Sequence, residues 1–400
     1  MTPVPLELPL RPSEAGELAN IIFDQAERKP LTEAVRGRVA ARGSALRLET
    51  ITPWFGSLER DPVHPSSYYL AVDGAQGEPL LLHMAVAAAP TSSIFYKALL
   101  IGRMRRANGP EIVLNAVPFG PTEHERLKQF ASAIDTAFLP QRQGLRTAIA
   151  VEAADPEKDL PAAFEAFRAV WKRTGKNVAA VGVPPGGDAR RVYHAALWAA
   201  IRAGWREGYS AGVRIGTREE IREAAAFSNF AVTIQRGPDA EAKFEAAFSA
   251  EDRGWLFDEF GAGFSEQDVM SLAVRLGPGL QAAERLHEAI RLARAALKTG
   301  RPFDFELAIE GAVSPQELTF CLHWLKARGH AAQLAAPGAP GGVEELAAVS
   351  RRYQCVLSLA ARPGDGPGEW ESIARATAGP VNYRVSDTDS IAAIAEHLLG

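Results

Sequence analysis

The feature that most constrains this chain is an alternation that begins at Gly144 and runs to the end. Eight short apolar runs recur: "LRTAIAVE" (145–152), "NVAAVGV" (177–183), "SAGVRI" (210–215), "FAVTIQ" (230–235), "FDFELAIE" (303–310), "HAAQLAA" (330–336), "QCVLSLAA" (354–361) and "PVNYRV" (380–385). Amphipathic stretches separate them. In "LPAAFEAFRAVWKRTG" Phe164, Phe167, Val170 and Trp171 fall on one helical face, and "SPQELTFCLHWLKARG" opens on Ser-Pro and closes at Gly329. A strand covered on both faces reads as a short continuous apolar run, and parallel neighbours need a crossover long enough for a helix. Eight such units in about 260 residues predict an α/β fold, a (β/α)8 TIM-like barrel. One connection is oversized, a helical insertion at about 236–302.

The chain has 400 residues, more than one domain of ordinary size needs, so a second domain is expected ahead of the barrel. Residues 1–140 read as a smaller N-terminal α+β domain and 141–400 as the barrel, with "LPQRQ" around Pro140 as the linker. In the first part a helix is predicted over Glu14–Glu27, with strands at "SALRLETI", "SSYYLAVDG", "EPLLLHMAVAAA" and "PEIVLNAVPF". "DGAQGEP" reads as a hairpin turn, and 122–138 as a helix capped by Thr122.

Composition is that of a globular protein: 47% hydrophobic, 23% charged, net charge −4. Basic residues are scattered, which argues against nucleic acid or an anionic membrane as partner. The N-terminus has no basic segment followed by a long apolar run, and no stretch reaches the roughly 20 apolar residues of a membrane helix. A cytoplasmic location is the expectation. Cys321 and Cys355 are too far apart for a metal motif and read as buried, reduced thiols.

On a barrel, function sits at the C-terminal strand ends and the loops beyond them. Those ends carry Glu152, "PPGGDARR", Arg214, Gln235, Glu310, Pro337, Arg362 with Asp365, and Ser386 with Asp387. None of the eight histidines falls at a predicted strand end, so no metal site and no cofactor is expected from the residues. Glu152 and Glu310, on the first and fifth strands, face each other across the mouth as candidates for acid–base work. The alternative is that each pairs with an arginine, for which Arg146, Arg214, Arg362 and Arg384 are available. "RPGDGPGEW" (362–370) and "VPPGGDARR" (183–191), the latter with Arg190 and Arg191, are glycine turns able to meet an anion or to be plain solvated loops.

The segments "GLRTAIAVE", "ALWAAIRAGWREGYSAG", "FAVTIQ", "FDFELAIEGAVSPQELTFCLHWLKARG", "VLSLAARPGDG" and "GPVNYRVSDTDSIAAI" follow one another in an order that resembles the tagaturonate (tagaturonate/fructuronate) epimerase family. Members of that family are metal-dependent barrel enzymes that invert a carbon of a keto-hexuronate. The resemblance spans about 140–400 and is densest in "REGYSAG" and "FDFELAIE". It implies a barrel and a sugar-acid ligand. The chain departs from the family where the metal is held. The Asp-x-Asp-His cluster after strand three is absent, since Gly212 runs into "VRIGTREEI". Glu310 and Gly311 stand where the family has Asp-Glu-Thr, and Ala360 to Asp365 replace His-Ser-Gly-Ser-Asp-Lys. Arg384 keeps the basic residue of strand eight, while Asn382 replaces a histidine.

The expectation is a divergent, metal-free relative of sugar-acid epimerases, a carbohydrate binder or degenerate enzyme. The competing expectation is an active epimerase or isomerase on another sugar acid or sugar phosphate. There Glu310 is the base, Glu152 or Asp365 the acid, and Arg190, Arg214, Arg362 and Arg384 hold the anion. A third is a structural partner whose 236–302 insertion pairs copies of the chain into a homo-oligomer.

Overall fold

The computed structural model describes residues 9–27, 29–87, 98–106, 109–237, 244–297, 301–340, 342–360 and 367–399. They fall into two units: Met1–Leu139 with Pro156–Glu165 and His194–Gly208, and Pro140–Asp155 with Ala166–Tyr193 and Tyr209–Gly400.

The first unit begins with helices α1 (Pro12–Ala26) and α2 (Glu33–Gly43). The short strands β1 (Thr52–Pro53) and β2 (Glu59–Arg60) follow, then β3 (Ser67–Asp73), β4 (Pro79–Val86), β5 (Leu99–Arg105) and β6 (Glu111–Pro118). They form an antiparallel sheet in the order β1-β3-β4-β6-β5, with β2 also on β3. Leu18, Ile22 and Phe23 of α1 bury against Tyr68, Leu70, Leu82, Met84 and Leu114 on one face of the sheet. On the other face Phe119, Phe130, Phe138 and Trp198 make a chain of edge and tilted ring contacts. The turn after Asp73 closes a hairpin whose register runs from Asp73↔Pro79 to Ser67↔Ala85.

Three details differ from the sequence reading. "SALRLETI" is not a strand: Thr50 is tied through its N–H and hydroxyl to the Glu14 carboxylate at 2.9 and 3.0 Å, which holds the segment against α1 while Leu46 and Leu48 pack on the core. The edge strand β5 went unread because its arginines break the apolar pattern, as edge strands do. Helix α3 (His124–Ala133) starts after Glu123, and Thr122 is not its cap.

The second unit holds the eight barrel strands, while Pro156–Glu165 and 194–203, parts of two of the barrel's helices, group with the first. The barrel's strands and helices alternate as β7 (Ala148–Val151), α4 (Pro156–Thr174), β8 (Ala179–Gly182), α5 (Ala189–Ala203), β9 (Ser210–Arg214), α6 (Arg218–Ala224) and β10 (Asn229–Ile234). After β10 come α7 (Phe244–Ala247), α8 (Ala250–Phe260) and α9 (Glu266–Ala295). Then follow β11 (Asp304–Val313), α10 (Pro315–Ala327), β12 (Leu334–Pro340), α11 (Val343–Arg352), β13 (Val356–Ala360), α12 (Pro367–Thr377), β14 (Val381–Val385) and α13 (Asp389–Leu399). The parallel strands β7 to β14 close on one another in sequence order, β14 pairing with β7. The expected barrel and the N-terminal α+β part are both present. Ser314 and Glu317 form a capping box at the start of α10, as the Ser-Pro opening implies.

The insertion is dominated by α9, which runs 30 residues and passes through Pro278. Leu272, Leu276, Leu280 and Ala283 give it a buried apolar stripe that outweighs the lost hydrogen bond. Arg294, itself buried, anchors its far end by donating to the carbonyls of Ala225 and Phe227 at 2.9 and 2.7 Å. No helix among the described residues is long and apolar enough to cross a membrane.

Candidate functional site at the barrel mouth

Residues paired across parallel strands face the same side, so the register reports which side chains point inward. Ala150, Ala180 and Ser210 are one such row. Gly182, Gly212 and Asn229 are the next. Ala231, Glu306, Leu334 and Val356 follow, and Ser358, Asn382 and Ala148 close the circle. Barrel interiors of this fold are usually filled by bulky branched residues. Here β7 to β9 contribute alanine, glycine and serine to these rows, and the space they leave is occupied by polar groups. A cavity of about 40 Å³ remains, lined by Glu152, Arg214, Asn229, Glu306, Asn382 and Arg384 among others. That is room for roughly three waters.

Glu152 is placed by the barrel itself. Its N–H donates to the Val385 carbonyl at 2.8 Å, continuing the β7–β14 ladder one residue beyond β7. Its side chain lies over Gly182, where a Cβ would come within 2.9 Å of the Glu152 Cγ. The carboxylate then reaches Arg384 on β14, with Oε1 3.8 Å from Nη1. Burial raises the Glu152 pKa above the ordinary carboxylate value, Arg384 and Arg214 pull it back, and the charge of Glu306 raises it further. Glu152 therefore holds a proton more readily than a solvated glutamate and stands next to a fixed positive charge.

A second, wider space adjoins the first, about 440 Å³ in volume, and shares Glu152, Val183, Val213 and Arg214 with it. Its other walls are the Pro184–Ala189 turn and Glu220 and Glu223 of α6. Glu152 and Arg214 thus lie where a narrow interior meets an open cleft.

Of the residues singled out from sequence, Glu152, Arg214 and Arg384 are brought together here. Arg190 is exposed at the start of α5, its N–H held by the Asp188 carboxylate at 2.9 Å, and lines neither space. Glu310 is exposed on β11, just before Gly311, whose φ is +74° and where the pairing with β12 shifts register. It lines neither space. Arg362 and Asp365 lie outside the described residues. Arg146 is no rim residue: it precedes β7 and donates to the carbonyls of Gln143, Asn177 and Ala179, at the N-terminal end of the barrel.

The sequence reading missed Glu306 and Asn229. Glu306 is only 4% exposed, and its Oε2 accepts from the Asn229 amide at 3.0 Å. Its signal was visible, a carboxylate between Phe305 and Leu307 in the middle of a buried strand. Glutamate is almost never fully buried unless something engages it.

The family resembled at the sequence level uses a metal, and the described residues do not fit one. No group of three or more His, Cys, Asp or Glu side chains converges among them. The cavity offers two carboxylates, one facing a guanidinium, fewer His, Cys, Asp or Glu ligands than the three or four of a zinc site.

This barrel shares its fold with a fructuronate-tagaturonate epimerase. The crystal structure of that epimerase from Cohnella laeviribosi in complex with one glycerol superposes with a TM-score of 0.62 at 16% identity, over 88% of this chain and 74% of that one. The native form of the same epimerase gives 0.62, and the form with two glycerols 0.61. At this identity the likeness to the epimerase is one of fold. No family model and no curated protein matches the chain by sequence.

Proposed function

We propose that this chain binds a small sugar acid in the barrel mouth and does so without the metal-dependent chemistry of the epimerases it resembles. The observation that carries the reading is the Glu152–Arg384 pair, 3.8 Å apart, at the junction of the small cavity and the open cleft. Arg384 and Arg214 supply positive charge for a carboxylate, and Glu152 and Glu306 accept hydrogen bonds from hydroxyls. The fold shared with a fructuronate-tagaturonate epimerase supports the same ligand class. The donor set argues against a resident cation, as described above.

A second reading, proton transfer on the bound sugar acid, is favoured by the raised pKa of Glu152. In it Glu152 takes or returns the proton, and Arg384 steadies the charge that develops on the neighbouring oxygen. Glu310, exposed where the β11–β12 register shifts, has no part in it.

The test is a thermal-shift panel of hexuronates, hexoses and sugar phosphates, with metal analysis of the purified protein. A hexuronate stabilises the wild type and not Arg384→Met, and the protein carries no stoichiometric metal. Stoichiometric zinc, manganese or nickel, or hexuronate stabilisation that survives Arg384→Met, overturns the reading. Solvent deuterium incorporation into bound hexuronate, lost in Glu152→Gln, separates proton transfer from binding alone.

A further inference from the structure

The floor of the small cavity is built from acceptors. Glu306 is buried, and no arginine, lysine or histidine lies within ion-pair distance of it among the described residues. Its only hydrogen bond there is the Asn229 amide at 3.0 Å. That bond spends the donor of Asn229 and leaves its Oδ1 buried without a partner. Asn382, 2% exposed, repeats the arrangement: its Nδ2 donates to Ser358 Oγ at 2.9 Å, and its Oδ1 has no partner. Both asparagines line the cavity with Glu306. Buried acceptors left without donors are uncommon in native interiors, and each is a cost that a ligand's donor relieves.

We propose that this floor recognises hydrogen-bond donors, so that the ligand enters with a hydroxyl-bearing end downward and its carboxylate outward. The inference rests on the sugar-acid reading above and adds an orientation to it. A hydroxyl donates to Glu306 and the two amide oxygens. A carboxylate there meets the Glu306 carboxylate and two amide oxygens, the neutral donors of the lining outside the two asparagines being the Ser210 hydroxyl and the Gln143 amide. The positive charge of the cavity is at its other end, on Arg384 beside Glu152. The predicted specificity is for monoacids over diacids: a hexuronate fits, and the matching hexarate, with carboxylates at both ends, does not.

Calorimetric titration of the full chain with galacturonate, galactarate and galactitol tests this. Galacturonate is expected to bind at least tenfold more tightly than galactarate, and galactitol to bind weakly. Glu306→Gln, which removes the charge and adds a donor, narrows the monoacid–diacid gap severalfold. Galactarate bound as tightly as galacturonate by the wild type overturns the orientation and leaves the sugar-acid reading standing. Galactitol bound and galacturonate not bound overturns the sugar-acid reading and retains the donor-reading floor. If none of the three binds, both fall. If Glu306→Gln does not fold, the wild-type series still decides.

Discussion

Gly182→Ala is the sharpest test of how the mouth is assembled. A Cβ at this position on β8 lies 2.9 Å from Glu152 Cγ, 3.4 Å from Oε1 and 3.6 Å from Cδ. Carbon atoms pack best at about 3.5–4.0 Å, so the Glu152 stem must retreat by roughly 0.6–1 Å. The carboxylate lies farther along the same side chain and swings further than the stem. Oε1 now stands 3.8 Å from the Arg384 guanidinium. If that gap opens to about 5.5 Å, the attraction at an effective dielectric near 20 falls from roughly 4.4 to roughly 3 kcal/mol. The difference, about 1.4 kcal/mol, is a factor of ~10 in any equilibrium that depends on the pair. Forcing a methyl into a filled site adds about 1–3 kcal/mol of destabilisation. Urea unfolding reports the second quantity and galacturonate titration the first. The variant is expected to unfold at lower urea and to lose about tenfold in affinity. An unchanged urea midpoint with affinity within twofold of wild type would refute the account of Glu152 as held over Gly182.

Gly254→Ala, in the interior of α8 with open space around the new methyl, is expected to stabilise by about 0.5–1 kcal/mol, read from the same urea curves. Cys321 and Cys355 are buried and burial pushes both thiols up, so a thiol-specific reagent should label neither until the protein is unfolded. Labelling of either in native buffer contradicts their placement. His83 lies 2.6 Å from Ser67 Oγ inside the first unit, and burial lowers its pKa from 6.5 to about 4. The unfolded chain therefore takes up a proton that the folded chain refuses. The stability linked to His83 is complete above about pH 6.5 and drains as pH falls toward 4. Proton NMR should show its ring still neutral at pH 5.5, and a titration near 6.5 would disprove the burial.

How much of the site was legible is best seen on one strand. "FDFELAIE" announced β11, and its period-2 pattern puts Glu306, Ala308 and Glu310 on the same side. The pattern cannot say how deep along the barrel axis each one lies. The register with β10 and β12 sets Glu306 among inward-facing neighbours, and the shift at Gly311 comes just after Glu310, which is left exposed above the rim. Arg146 and Arg384 make the same point: both are arginines near strands, but one precedes β7 and the other lies within β14, so only the second reaches the mouth.

The sequence by itself determined the local grammar. Eight apolar runs separated by amphipathic helices call for parallel strands with both faces covered, and their count and spacing match the closed barrel that forms. It also marked Glu152 and Arg214 as residues at strand ends and Arg384 as an arginine available to pair with them. Which carboxylate meets which partner was decided by closure, through the stagger of strand against strand. The pairing of neighbouring strands set Asn229 from β10 against Glu306 from β11, and Asn382 from β14 against Ser358 from β13. Those pairs join residues 77 and 24 positions apart, contacts that no local pattern records and that exist only once neighbouring strands have paired in register.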